Sequence, residues 1–214
     1  KSVKIEWIDS ETLNGNIDSL SNFNGILVPG GFGTRGAEGI IKTAHFAREK
    51  NIPFLGICFG FQLAAVEFGR NVCKLEDANS TEISVKAKNP IIDLLPEQNS
   101  VENMGGTLRL GAEKISLKEN TLAFNIYKSN LISKRHRHRY EFNNKFLEEY
   151  ENAGMTATGI NPDTNLVEIM EIKDHPWFVG TQYHPELKST VTDPHPLFVK
   201  FVKASLDLKK SQEI

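Results

Sequence analysis

The segment Pro53-Phe-Leu-Gly56-Ile-Cys58-Phe-Gly60-Phe-Gln62 constrains this chain more than any other stretch. A short apolar run ends at a cysteine, glycines stand two residues to either side, and Gln62–Phe68 continues with Leu63, Ala64 and Val66 at helical spacing. A strand that turns at once into a helix is the thiol counterpart of the G-x-S-x-G nucleophile elbow. Such a turn is tight and strained, and neighbouring backbones pass too close for a Cβ, which is why glycine flanks it. It pushes the central side chain into a cleft. There a helix N-terminus, with its positive dipole end and free N–H groups, favours a thiolate. A buried, inert thiol is the competing reading for Cys58, and it is the favoured one for Cys73, which has no such setting.

The surrounding pattern predicts an α/β domain spanning 1–214, with a mostly parallel central sheet flanked by helices and a small antiparallel patch. Val3–Ile8 alternates in strand fashion, Gly25–Val28 is a short apolar run ending at Pro29-Gly30-Gly31, and Ala37–Lys50 carries Ile40, Ile41, Ala44 and Ala47 at helical spacing. Pro53–Ile57 is the next strand. Strand, helix, strand, helix implies parallel strands joined by crossovers. Further on, Ile83–Lys86, Thr107–Leu110 and Lys114–Leu117 read as short strands of the antiparallel patch. Phe146–Asn152 reads as a helix, Met155–Ile160 and Leu166–Ile172 as a hairpin, Trp177–Tyr183 as a strand and Pro196–Leu208 as a closing helix.

Composition narrows the class of function. The 25 Lys and Arg against 27 Asp and Glu give a formal charge of −2, so no global field draws the chain onto nucleic acid or an anionic membrane. The apolar run Ile52–Ile57 is far too short to cross a bilayer. Two cysteines make no disulfide framework, and no secretory leader pattern opens the chain, so a cytoplasmic setting is expected. The start at Lys1, directly before VKIEWI, reads as a piece of a longer protein.

A cysteine nucleophile needs a base. Of the six histidines, His184 follows the predicted strand Trp177–Tyr183 and precedes Pro185-Glu186. Proline holds the residue before it extended, and residues i and i+2 of an extended chain face the same side, so His184 and Glu186 project together as base and orienter. Alone, H-P-E is a weak motif; paired with the elbow it completes a triad. The glycines of Pro29-Gly-Gly-Phe-Gly33 leave backbone N–H groups free for an oxyanion, with Phe59 N–H as second donor.

The run Lys134–Tyr140 packs four Lys and Arg and two His into seven residues. It admits three readings: a nucleic-acid patch, a metal site through His136 and His138, or an anion-recognition strand whose alternate residues face a cleft and a partner surface. The near-neutral charge disfavours the first, and no Cys or carboxylate cluster completes the second. We favour the third.

Together GICFGFQ, YHPE, PGGFGTRG, DANSTE (Asp77–Glu82), MGGTLRLG (Met104–Gly111), RHRHRYE (Arg135–Glu141) and HPLF (His195–Phe198) resemble the class I (triad-type) glutamine amidotransferases over nearly the whole chain. The likeness is greatest to the branch in which the glutaminase is joined to an N-terminal synthetase domain. It implies a flavodoxin-like sheet, Cys58 as nucleophile, His184 as base and acid, Glu186 as orienter, and Gly31 and Phe59 as oxyanion donors. L-Glutamine would lie against Gly31 and Phe59, Gly60, Phe61 and Gln62, with Glu82 on its α-ammonium and Arg139 on its α-carboxylate, one fixed charge of each sign for a zwitterion. No cofactor or metal is implied in this domain. ATP and Mg²⁺ would serve the synthetase domain in turning UTP into CTP, GTP would activate near Phe32–Arg35, and the full enzyme would be a homotetramer. Phe59, Phe61 and Leu187 replace the family's Leu, Met and Phe, apolar exchanges beside the site. A γ-glutamyl hydrolase, another class I amidotransferase, a cysteine peptidase or a non-catalytic regulatory or assembly module on the same scaffold are the alternatives.

Overall fold

The computed structural model describes residues 3–14, 17–94 and 108–213. Its strands are β1 (Ile26–Val28), β2 (Phe54–Ile57), β3 (Ala78–Ser80), β4 (Asn89–Leu94), β5 (Arg109–Leu117), β6 (Leu131–His138), β7 (Tyr140–Phe142), β8 (Met155–Ile160), β9 (Val167–Ile172) and β10 (Phe178–Thr181). Its helices are α1 (Ala37–Glu49), α2 (Phe59–Asn71), α3 (Leu122–Tyr127), α4 (Leu147–Asn152) and α5 (Pro196–Gln212). Seven strands form the main sheet in the order β1-β2-β10-β9-β8-β5-β6, and β3-β4-β7 form a smaller one.

The α/β class with helices on both faces is as expected. Within the main sheet parallel pairing is confined to β1, β2 and β10, and in the smaller sheet β3 pairs parallel with β4 while β4 and β7 run antiparallel. From β10 onward each neighbour, through β9, β8, β5 and β6, runs antiparallel, so the antiparallel part is larger than the sequence pattern suggests. The reason is connection length: β8 and β9 are joined by a tight turn at Asn161–Asn165, where Asn165 N–H donates back to Asn161 O at 2.9 Å, and short links permit only antiparallel neighbours.

The central strands β2 and β10 are buried on both faces, and alternation sends their residues to two cores. Phe54 and Phe178, cross-strand partners stacked 4.5 Å apart, join Val28, Phe61 and the buried faces of α1 and α2. Leu55, Ile57 and Val179 face the other way, onto Ala123 and Ile126 of α3 and Leu197 and Phe201 of α5. Helix α5 starts where His195 caps it, its Nδ1 accepting from Leu197 N–H at 3.3 Å, with Pro196 in the first turn.

Four expected strands differ. Val3–Ile8 is not a strand: Val3, Ile5 and Trp7 are exposed, and no strand among the described residues pairs with its backbone, which an alternating pattern needs to become a strand. Ile83–Lys86 is turn rather than strand, because Ile83 and Ser84 both donate their N–H to Ser80 O at 3.0 and 2.9 Å. Thr107–Leu110 and Lys114–Leu117 merge into the single strand β5; Met104–Thr107 lie outside the described residues. Among the described residues no helix is long and apolar enough to cross a membrane.

Candidate active site

Cys58 sits between β2 and α2 at φ 50° and ψ −103°, backbone values that L-residues rarely adopt. The surroundings hold it there. Its N–H donates to Thr181 O at 2.7 Å, and its carbonyl accepts from Gln62 N–H at 3.0 Å, the first bond of α2. The flanking glycine is needed because α2 begins directly against β1: a Cβ on Gly60 would lie 2.4 Å from Val28 O. The cysteine is thereby fixed at a helix N-terminus, where Phe59 N–H belongs to the first turn and has no acceptor within the helix.

His184 follows β10 in extended geometry and opens the 3-10 turn Pro185–Lys188. Its backbone N–H donates to Arg135 O at 2.9 Å, so the far edge strand β6 curls round to hold the end of β10. Its Nδ1 lies 2.5 Å from Glu186 Oε1. The ring rests on Gly30, where a Cβ would meet His184 Cε1 at 2.8 Å and Cys58 Cβ at 3.6 Å, so imidazole and cysteine converge over one glycine. Nε2 has no hydrogen-bond partner among the described residues. The facing Cys58 sulfur, with Glu186 behind, raises the His184 imidazole to about 10 against the opposing effect of burial. Burial works to raise the Glu186 carboxyl, but the hydrogen bond from His184 outweighs it and holds the group below the usual carboxylate range.

The loop after β1 carries Gly31 against the Phe59 ring, 3.3 Å from where a Cβ would stand. Two residues on, Gly33 N–H donates to Glu82 Oε1 at 2.7 Å, which brings Glu82 from the β3 side to this loop. Burial raises the Tyr140 hydroxyl, to which the Glu82 carboxylate adds and which the Arg139 guanidinium opposes, so both charges lie within electrostatic reach of Tyr140. Gln62 reaches the same corner, donating through Nε2 to Tyr140 O at 2.8 Å. Phe61 is a core residue packed on Gly180, so its backbone rather than its ring is left for a ligand. Leu187 is exposed beside the triad.

The Arg/His run is strand β6, and it alternates as its pattern implies: His136 and His138 are buried, Arg135 and Arg137 exposed. Inside, the histidines join a charged cluster. Arg109 donates to Glu141 Oε1 at 2.8 Å and Glu168 Oε1 at 2.7 Å and also pairs with Glu113, while His138 Nε2 meets Glu141 Oε1 at 2.7 Å. Burial pushes the Glu168 carboxyl up to about 7 despite Arg109, and burial with Arg109, His138 and His184 pushes His136 down to about 2.

Two residues of the site escape sequence reasoning. Gly30 looks like half of an ordinary Pro-Gly-Gly turn, and nothing local says that a histidine ring 154 residues later rests on it. Gln182, fully buried, donates through Nε2 to Cys58 Sγ at 3.7 Å. Its place two residues before His184 puts it on the same side of an extended chain, the one signal that could have found it.

An α/β sheet presenting a cysteine elbow to a strand-end histidine and carboxylate defines a triad amidotransferase site, and the glutamine amidotransferase class-I family model matches residues 1–204; the chain belongs to that family. Within the family the chain is similar to CTP synthases. That of Cytophaga hutchinsonii is 56% identical over 213 residues, covering 99% of this chain and 40% of that protein, and that of Christiangramia forsetii is 55% identical over 206 residues, covering 95% and 38%. The chain therefore spans about two fifths of the length of these curated relatives. The glutaminase domain of Trypanosoma brucei CTPS, solved with bound acivicin, superposes with a TM-score of 0.91 at 34% identity, covering 97% of this chain and 82% of that one.

Proposed function

We propose that this chain is a glutaminase that releases ammonia for the amination of UTP to CTP. The observation that carries the reading is the convergence of Cys58, at its positive-φ elbow, and His184, backed by Glu186, over Gly30. Cys58 thiolate attacks the carboxamide carbon of L-glutamine, and the N–H groups of Gly31 and Phe59 hold the oxyanion. His184 gives its proton to the departing ammonia, leaving a γ-glutamyl thioester. It then takes a proton from water, which displaces the sulfur and frees glutamate. Glu82 takes the substrate α-ammonium and Arg139 its α-carboxylate, with Gly60, Phe61 and Gln62 lining the floor. The partner is the synthetase part that makes up the remaining length of CTP synthase relatives, in a homotetramer; ATP and Mg²⁺ belong to that part. GTP promotes the glutaminase step beside Phe32 and Arg35, where Phe32 is exposed and Arg35 is held by Glu11 at 2.8 Å.

The test is glutamate release from L-glutamine by this chain joined to the synthetase part of a CTP synthase. Activity that disappears in Cys58→Ala, is stimulated by GTP, and loses that stimulation in Arg35→Ala supports the reading. Glutamine hydrolysis that survives Cys58→Ala, or cleavage of γ-glutamyl peptides in preference to glutamine, overturns it.

A further inference from the structure

The Cys58 sulfur has a neighbour that the triad does not use. Gln182 is fully buried at the end of β10, and its side-chain Nε2 donates to Cys58 Sγ at 3.7 Å. Which end of an amide faces a sulfur is decided by what lies at the other end. Gln62 Nε2 donates to the backbone carbonyl of Tyr140 at 2.8 Å, and a carbonyl oxygen can only accept, so that atom of Gln62 is the NH₂ group. Its second hydrogen goes to Gln182 Oε1 at 3.1 Å. The oxygen of Gln182 is thereby committed to Gln62, and its NH₂ group must face the cysteine. The main chain is fixed as well: Gln182 N–H donates to Glu168 O at 2.9 Å, while the preceding residue, Thr181, accepts from Cys58 N–H at 2.7 Å. Three segments, α2, the start of β7 and the residue just after β10, thus aim one N–H at one sulfur.

We propose that Gln182 is a thiolate-stabilising residue of this site, donating an N–H to Cys58 Sγ, and that Gln62 acts through it as the positioning residue that fixes the direction of its amide. The inference rests on reading Cys58 as the nucleophile. A thiol sulfur is a weak acceptor and a thiolate a strong one, so a donor held in place in a buried setting favours the anion. A buried amide left without partners is costly, and here each polar end of Gln182 has one, so the arrangement is satisfied only while the sulfur is there to accept. This role is separate from that of His184, whose ring approaches the cysteine from the Gly30 side.

The test follows alkylation of Cys58 by iodoacetamide across pH, read by mass spectrometry of its peptide, in the chain joined to a CTP synthase synthetase part. Gln182→Met keeps length and apolar bulk while removing the donor; Gln182→Glu keeps the shape and replaces the donor with a charge that repels a thiolate. The expected result is an alkylation midpoint raised by about one pH unit in Gln182→Met and by more in Gln182→Glu, a loss of about tenfold in rate below the midpoint, with the plateau at high pH retained. Gln62→Met should shift the midpoint the same way by less. If Gln182→Met does not fold, as judged by circular dichroism, the Gln182→Glu profile decides. Profiles superimposable on the unmodified protein overturn the role of Gln182 while leaving the nucleophile reading intact. A wild-type Cys58 that alkylates no faster than Cys73 at neutral pH overturns both.

Discussion

Glu186 Oε1 lies 2.5 Å from His184 Nδ1, two residues away along the chain and on the same side of it, with the proline between them buried. The contact needs no long-range packing to form, because an extended His-Pro-Glu already aligns alternate side chains. What it does need is something to stop the imidazole from turning, and that is supplied by Gly30 beneath the ring and by the Arg135 carbonyl on the His184 main chain.

Glu186→Gln keeps the shape but removes the charge that helps hold His184 protonated near 10. We expect kcat for glutamine hydrolysis in the joined enzyme to fall by about 10²-fold or more. The pH–rate profile should shift to lower pH on its alkaline side, since the His184 imidazolium would then lose its proton earlier. An unchanged profile would show that Glu186 does not act on this histidine.

Gly30→Ala places a methyl group 2.8 Å from His184 Cε1, closer than side-chain carbons pack. The ring must move off the cysteine while the fold, which does not depend on that contact, stands. The expected outcome is a loss of about 10²-fold in kcat with a thermal midpoint within about 3 °C of the parent. A fall in stability with normal kcat would contradict it.

Arg109 pairs with all three of Glu113, Glu141 and Glu168, two of them buried. Arg109→Met leaves those carboxylates facing one another without compensation. Breaking a buried pair in this way costs about 3–5 kcal/mol, measurable as a lowered denaturant midpoint. Restoring stability by adding Glu168→Gln to Arg109→Met would confirm that the loss is electrostatic.

His136 is buried and neutral, pushed down to about 2 from the ordinary 6.5. A depressed histidine contributes stability that is full above 6.5 and is lost as pH falls from 6.5 towards 2, because the unfolded chain takes up the proton and the folded one does not. At pH 5 this single group costs about 2 kcal/mol relative to pH 8. His136→Gln should flatten the decline between pH 7 and 5 in chemical denaturation. Glu168, raised to about 7, works in the opposite sense, contributing stability below 4.5 that is lost as pH rises through 7, so Glu168→Gln should steepen the same decline.

Much of the site was legible because its chemistry is local. Gly56-Ile-Cys58-Phe-Gly60 carries its own turn, and the helix after it begins at Phe59, as the elbow requires. His184-Pro185-Glu186 carries its own alignment. The alternation of the Arg/His run predicted two faces, and β6 has them. The expected strand Val3–Ile8 has no pairing partner among the described residues, and a strand is completed by its neighbour and not by its own residues.

The amino-acid order by itself determined which residues could be nucleophile, base and orienter, and which turns would present them, since each of those motifs is closed by bonds within a few residues. Only the tertiary structure decided that they meet. Cys58 and His184 come together because β2 and β10, distant along the chain, run parallel side by side in the middle of the sheet and so have their C-terminal ends together. The same packing of distant segments placed Gln182 against the sulfur and Gly30 beneath the imidazole. Beyond the alternation that puts Gln182 on the His184 side of the chain, such contacts carry little local signature, because the residue types that make them, an amide and a glycine, are common throughout the chain and gain their meaning only from what packs against them.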